Sequence, residues 1–162
     1  MSAMDAQMTT PFVDFARRKI LEQEWHRMKQ CVAALSEERV WWRPNEASNS
    51  IGNLLLHLNG NVAQWIVAAF NRREDTCNRL QEFSERGPVT TTDLLVRLGS
   101  TLEQAGEALA RLTPAELLAT YQIQGYTVSG LDAAYTAVER FGLHYGQIVY
   151  ITKLLGGEDS GF

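Results

Sequence analysis

Residues 50–71 read SIGNLLLHLNGNVAQWIVAAFN. Ile51, Leu54 or Leu55, Leu58, Val62, Trp65 and Ala69 return at steps of three and four, the apolar stripe of a helix facing a core. Ser50 stands where an N-cap belongs, with its hydroxyl free to accept from an N–H of the first turn. A second register runs along the same helix. Asn53, His57 and Asn61 are spaced by four, so their side chains share one face, and Gln64 extends that polar line.

Three more stretches carry the same rhythm. The first is predicted from about Pro11 to Leu35, with Leu21, Trp25, Met28, Val32 and Leu35 on its stripe and Pro11 in its first turn. The third is predicted from Thr91 to Leu112, followed at Thr113-Pro114-Ala115-Glu116 by a capping box that opens a separate short helix. The fourth begins near Ser129 and stops at Gly156-Gly157. Four amphipathic stretches of this length, at steps near 3.5, predict an all-α protein, an antiparallel four-helix bundle with short extra helices in its connections. Between them, Arg72 to Val89 reads as a charged irregular loop, and Tyr121 to Val128 alternates as an extended segment would. The chain therefore divides into a flexible N-terminus over 1–10, one bundle domain over 11–157 and a flexible C-terminus over 158–162.

Composition narrows the function classes. With 162 residues, 45% of them hydrophobic, the chain can bury a core without staples. Fifteen Lys and Arg against nineteen Asp and Glu give a net charge of −4, with no basic stripe for phosphate backbones, so nucleic acid is not an expected partner. The longest uninterrupted apolar run, Trp65 to Phe70, is far below the roughly 20 residues that cross a bilayer. No basic n-region or apolar h-region opens the chain, and Cys31 and Cys77 are isolated, which predicts reduced thiols in a cytoplasmic protein.

The histidines carry the most chemical information. His57 lies mid-way along the second helix and His144 mid-way along the fourth, with Arg140 one turn before it and Gln147 one turn after. Two imidazoles from different helices can meet inside a bundle and ligate a divalent metal. A single histidine on a half-apolar face is more often a hydrogen-bonded boundary residue. His26 follows Trp25 and sits one turn after Glu22, as a surface residue would. Trp25, Trp41, Trp42 and Trp65 fit core positions better than a substrate pocket, while Arg72, Arg73 and Arg79 read as solvated or as a clamp for a carboxylate. Gly142 and Gly146 inside the fourth helix suit close approach of a neighbour or ligand.

Two blocks, Asn49 to Asn61 with Gln64-Trp65, and Val138 to Ile148 with Tyr150 to Leu155, resemble the DinB/YfiT-like family of small four-helix bundles. Trp41-Trp42-Arg43-Pro44 and Glu82 to Arg86 are similar to its branch without assigned activity. The resemblance implies a bundle, often homodimeric, holding a divalent metal of the Zn, Ni or Mn class on three histidines, and in some relatives the use of a low-molecular-weight thiol. His57 and His144 fall on the first and last of those histidines. The middle position is Arg140. A guanidinium has no lone pair to give and keeps its charge, so it cannot replace an imidazole ligand. Two readings follow. In one, the protein is a metal-dependent thiol-transferase-like enzyme with a degenerate site, ligated by His57 and His144, with Asn53, Asn61 and Gln147 around it and a third donor drawn from Glu22, Glu24 or Asn61. In the other it is a metal-free binding or dimeric interaction protein in which Arg140, His144 and Gln147 recognise a small anion.

Overall fold

The computed structural model describes residues 3–74, 77–87 and 89–156, with the side chains of 3–8 left aside. Helix α1 spans 3–33, as α-helical Ala3–Arg17, a π-helical turn Arg18–Glu24 and α-helical Trp25–Ala33. A short α2, Glu37–Val40, follows. Helix α3 spans 51–71, as Ile51–Val62, a π-helical turn Ala63–Ala68 and Ala69–Asn71. Then come α4 (Arg79–Ser84), α5 (Thr91–Ala110), α6 (Pro114–Leu118), strands β1 (Thr120–Ile123) and β2 (Tyr126–Ser129), and α7 (Gly130–Leu154). Helices α1, α3, α5 and α7 make the antiparallel four-helix bundle that the apolar periodicity predicts.

The helix starts were legible because their caps are local. Ser50 accepts from the Asn53 N–H while the Asn53 side chain accepts from Ser50, a reciprocal box at the head of α3. Thr113 with Glu116, and Ser129 with Asp132, repeat the device at α6 and α7. The start of α1 differs from expectation. The helix is already formed at Ala3, so Pro11 lies inside it, and the stretch 3–10 is helical rather than a separate tail. The predicted tail at 158–162 lies outside the described residues.

The core is one cluster built from the four stripes. Ile20, Met28 and Val32 meet Leu55, Leu58, Val62 and Ile66, then Leu98, Leu102 and Leu109, and Ala137, Phe141 and Ile148 close it. Each fully buried side chain of this size contributes about 1.5–3 kcal/mol. Trp65 is buried there, Trp25 and Trp41 are half-buried against it, and Trp42 is exposed. Trp41 lies across the backbone of Gly52, where a Cβ would meet its ring at 2.8 Å, and donates from Nε1 to the Val89 carbonyl at 3.1 Å.

The extended segment before α7 is an antiparallel hairpin with Ile123 opposite Tyr126 and Thr120 opposite Ser129. Its two-residue turn, Gln124-Gly125, has φ of 53° and 80°, the doubly left-handed turn that suits the twist of paired strands. Ile123 is buried, and Tyr121 stands edge-on to Phe70, so the hairpin lies against the end of α3. No described helix is long and apolar enough to cross a membrane.

Candidate functional site

The two histidines meet. The His57 and His144 ring centres are 5.0 Å apart and nearly perpendicular, so α3 and α7 do bring them to one place. His57 is buried and His144 half-buried. Each ring is fixed through Nδ1. His57 Nδ1 faces Glu82 Oε2 at 3.0 Å, and His144 Nδ1 faces Gln147 Oε1 at 2.8 Å. Both partners are acceptors, which places the Nδ1 proton on each neutral ring and leaves the Nε2 lone pair available.

Glu82 is the residue that sequence reading missed. It lies on α4, a short helix inside the segment 72–89 that reads as charged loop. Asn78 caps that helix by accepting from the Gln81 N–H. Asn53 holds it in place, donating from Nδ2 to the carbonyls of Glu82 and Glu85, both at 2.9 Å. Gly60 makes room for the carboxylate, since a Cβ there would run into Glu82 Oε1. The nearest sequence signal was the block Glu82 to Arg86, whose resemblance to the branch without assigned activity gave Glu82 no role. Phe83, next to Glu82, packs on His57 with ring centres 4.6 Å apart.

The other expected residues divide. Asn53 is no pocket residue: its amide is spent on the α3 cap and on α4. Asn61 is buried and lines the cavity beside His57, and neither its Oδ1 nor its Nδ2 has a hydrogen-bond partner among the described residues. Gln147 is exposed and orients His144. Arg140 lies with its guanidinium 5.8 Å from the Trp65 ring centre, a cation on an aromatic face. Of the proposed third donors, Glu22 is exposed, and Glu24 faces Gly142 and pairs with Lys19 at 3.1 Å. Gly146 has open space around it. His26 is exposed, and neither Cys31 nor Cys77 forms a disulfide among the described residues.

Electrostatics set the character of the site. Burial pushes the His144 pKa below the ordinary histidine value, opposed by the hydrogen bond to Gln147 and reinforced by the neighbouring His57 and the guanidiniums of Arg140 and Arg79. Arg79 lies 5.5 Å from the Phe83 ring centre and lines the small cavity with His57 and Asn61. Two guanidiniums thus act on one imidazole, while the nearest carboxylate, Glu82, is engaged with the other.

A catalytic zinc takes three protein ligands and a water. Among the described residues no group of three or more His, Cys, Asp or Glu is disposed to hold a metal ion. The donors supply two imidazoles, and Arg140 supplies a cation where the third imidazole is expected. The residues do not complete a three-ligand metal centre.

The family model for proteins of unknown function designated DUF1572 matches residues 7–161. This chain belongs to the DUF1572 family. The fold of this DUF1572 protein is that of DinB-like proteins. A conserved protein from Enterococcus faecalis superposes with a TM-score of 0.75 at 15% identity, covering 90% of this chain and 97% of the other. The DinB-like protein YjoA from Bacillus subtilis gives 0.68 at 20% identity, over 91% and 95%. A DinB-like protein from Bacillus cereus gives 0.67 at 14% identity, over 86% and 90%. No curated protein sequence matches the chain.

Proposed function

We propose that this DUF1572 protein binds a small anion, a carboxylate or phosphate group, at the point where α3 and α7 bring His57 and His144 together, and that it does so without a resident metal. The observation that carries this reading is the charge arrangement. Arg140 stands one turn before His144 on α7 with its guanidinium over Trp65, and Arg79 lines the small cavity with His57, while Glu82 is engaged with His57. An anion there meets two guanidiniums and the His144 ring, and charge-assisted bonds of this kind are the strong ones. The reading is a binding one and assigns no chemical step.

The test is thermal unfolding with acetate, phosphate or a chelator. Anions raise the midpoint in proportion to the logarithm of their concentration once above Kd. A chelator leaves it unchanged. A midpoint that ignores anions and falls with chelator removes the proposal.

One observation favours a second reading. Both Nδ1 atoms are turned to acceptors and neither Nε2 has a hydrogen-bond partner among the described residues, the outer-shell pattern that prepares imidazoles for a metal. Two such donors support weak divalent binding, the remnant of a thiol-transferase-like centre. Metal content of untagged protein distinguishes the two. The homodimer that the resemblance implies belongs with either reading, and sedimentation tests it.

A further inference from the structure

The polar face of α3 does not stop at the histidine site. Asn53, His57, Asn61, Gln64, Ala68 and Arg72 follow one another at steps of four or three, and the π-helical turn Ala63–Ala68 lies on that line. Beyond Gln64 the face opens into a second cavity of about 210 Å³, a solvent-open cleft between the end of α3 and the hairpin. Arg72, Arg73, Tyr121 and Gln122 line it, together with Gln64 and Gln124. The same two glutamines line the small cavity of about 30 Å³ beside His57, Asn61, Arg79 and Glu82, whose carboxylate is turned to His57 Nδ1. Gln64 and Gln124 are hydrogen-bonded to each other, so a single pair of amides forms the wall between the two spaces.

We infer that the cavity beneath the hairpin is the far half of the binding site, and that the ligand carries two anionic groups, one held at Arg79, Arg140 and His144 and the other at Arg72 and Arg73. This deepens the anion-binding reading and rests on it.

A helix C-terminus favours a nearby cation through its dipole, which accounts for one arginine at the end of α3. It does not account for two consecutive arginines on one cavity. Nor does it account for Arg72 holding a left-handed φ of 52°, a conformation that costs a residue with a Cβ and that turns the chain so both side chains reach the same space. Arg72 acts on Tyr121 and Glu116. The Glu116 carboxylate, however, is spent on its own helix, accepting from the Thr113 N–H at 2.9 Å and the Thr113 hydroxyl at 2.7 Å. At the other end, Asn61 presents a buried donor and a buried acceptor to the small cavity. A water satisfies Asn61 but leaves the arginine pair unexplained. A ligand running along this face accounts for both.

The length of the ligand follows from the helix. Asn61, which lines the small cavity, and Ala68, which lines the larger one, are seven residues apart along α3, which sets the two anionic groups about 10 Å apart. The wall is a hydrogen bond between side chains, one of them at the tip of a two-residue turn, so it parts by rotamer change without unfolding either element.

Calorimetric titration of the full chain with straight-chain dicarboxylates, each against the monocarboxylate of equal length, tests this. Affinity for the diacids is expected to rise with length to about eight to ten carbons, the chain that spans the gap. Arg72→Gln with Arg73→Gln weakens the long diacid about tenfold and leaves the monoacid unchanged. Arg140→Gln weakens both. Both arginines of the double variant are exposed, so the fold is retained. If octanedioate binds no tighter than octanoate, or the double variant keeps full diacid affinity, the inference is overturned while monoacid binding through Arg140 preserves the anion-site reading. If neither acid binds the unaltered protein, that reading fails and this one with it.

Discussion

Glu82 Oε2 lies 3.0 Å from His57 Nδ1, and both side chains are largely withdrawn from water, at 13% and 4% exposure. The pair joins α4 to the middle of α3 and fixes which nitrogen of His57 is free. Removing the carboxylate leaves a buried N–H without an acceptor, which costs about 1–3 kcal/mol. Glu82→Ala is therefore expected to lower unfolding stability by that amount. Glu82→Gln, which keeps an acceptor oxygen, should lose less. Urea unfolding of the two variants checks it, and equal losses for both would mean that the carboxylate acts through packing alone.

Arg140 is the one position at which a single substitution should change the chemistry of the site. His144 lies four residues beyond it on α7, so an imidazole at 140 adds a donor on the same face, near the His57–His144 pair. Arg140→His removes one positive charge and supplies that third nitrogen. Zinc or nickel affinity is expected to tighten by at least about tenfold, measured by competition with a chromophoric chelator. Anion-induced stabilisation should weaken in the same variant. Unchanged metal affinity would mean that the 140 side chain cannot turn from Trp65 toward the histidines.

The bundle was legible because its signals are local and periodic. Ser50, Thr113 and Ser129 announce helix starts through bonds to residues three positions on, and the stripe through Leu58, Val62 and Trp65 is a property of one helix. The pairing of His57 with His144 was legible for a related reason: each occupies the middle of a long helix, and a bundle superimposes its middles. Glu82 was not. Its short helix carries too few apolar residues to show a period, and it is positioned by Asn53 and Gly60, both distant in sequence. Pro11 misled for the opposite reason, since a proline that suits a first turn also survives deeper inside a helix held by its neighbours. The division of the arginines, with Arg72 and Arg73 at the hairpin and Arg79 beside His57, depends on how that same segment packs.

The depressed pKa of His144 makes a pH prediction with a definite sign. Its folded-state value lies below the ordinary one, so the unfolded chain binds the proton more readily. The contribution is fully present above the unfolded value of about 6.5 and is lost as pH falls through the folded value. Glu24 has the opposite sign. Burial raises its pKa above 4.5 against the pull of Lys19 and Arg27, so its contribution is complete below 4.5 and is lost as pH rises through the folded value. Denaturant midpoints for the unaltered protein and His144→Asn, taken from pH 8 to pH 5, isolate the histidine because Glu24 is common to both. The variant should lose less on acidification. Saturating phosphate should also reduce the loss in the unaltered protein, because a bound anion favours the imidazolium.

Two glycines of α7 should respond to alanine in opposite directions. At Gly146 nothing lies within 4 Å of an added Cβ, so Gly146→Ala recovers the helix propensity that glycine forfeits, about 1 kcal/mol. At Gly130 the Cβ would press into the Glu116 carbonyl oxygen and meet the Leu117 Cα at 3.0 Å. Those are backbone atoms of α6, fixed by its capping box, and Gly130 itself donates its N–H to the Ala119 carbonyl at 3.0 Å. The helix can relieve the overlap only by moving away from α6 and the hairpin, so Gly130→Ala is expected to cost about 1–3 kcal/mol despite the gain in propensity. Thermal unfolding of the two variants side by side decides it. A stabilised Gly130→Ala would show that α6 and the hairpin float on α7 instead of being seated on it, and the wall at Gln124 would then lose its support.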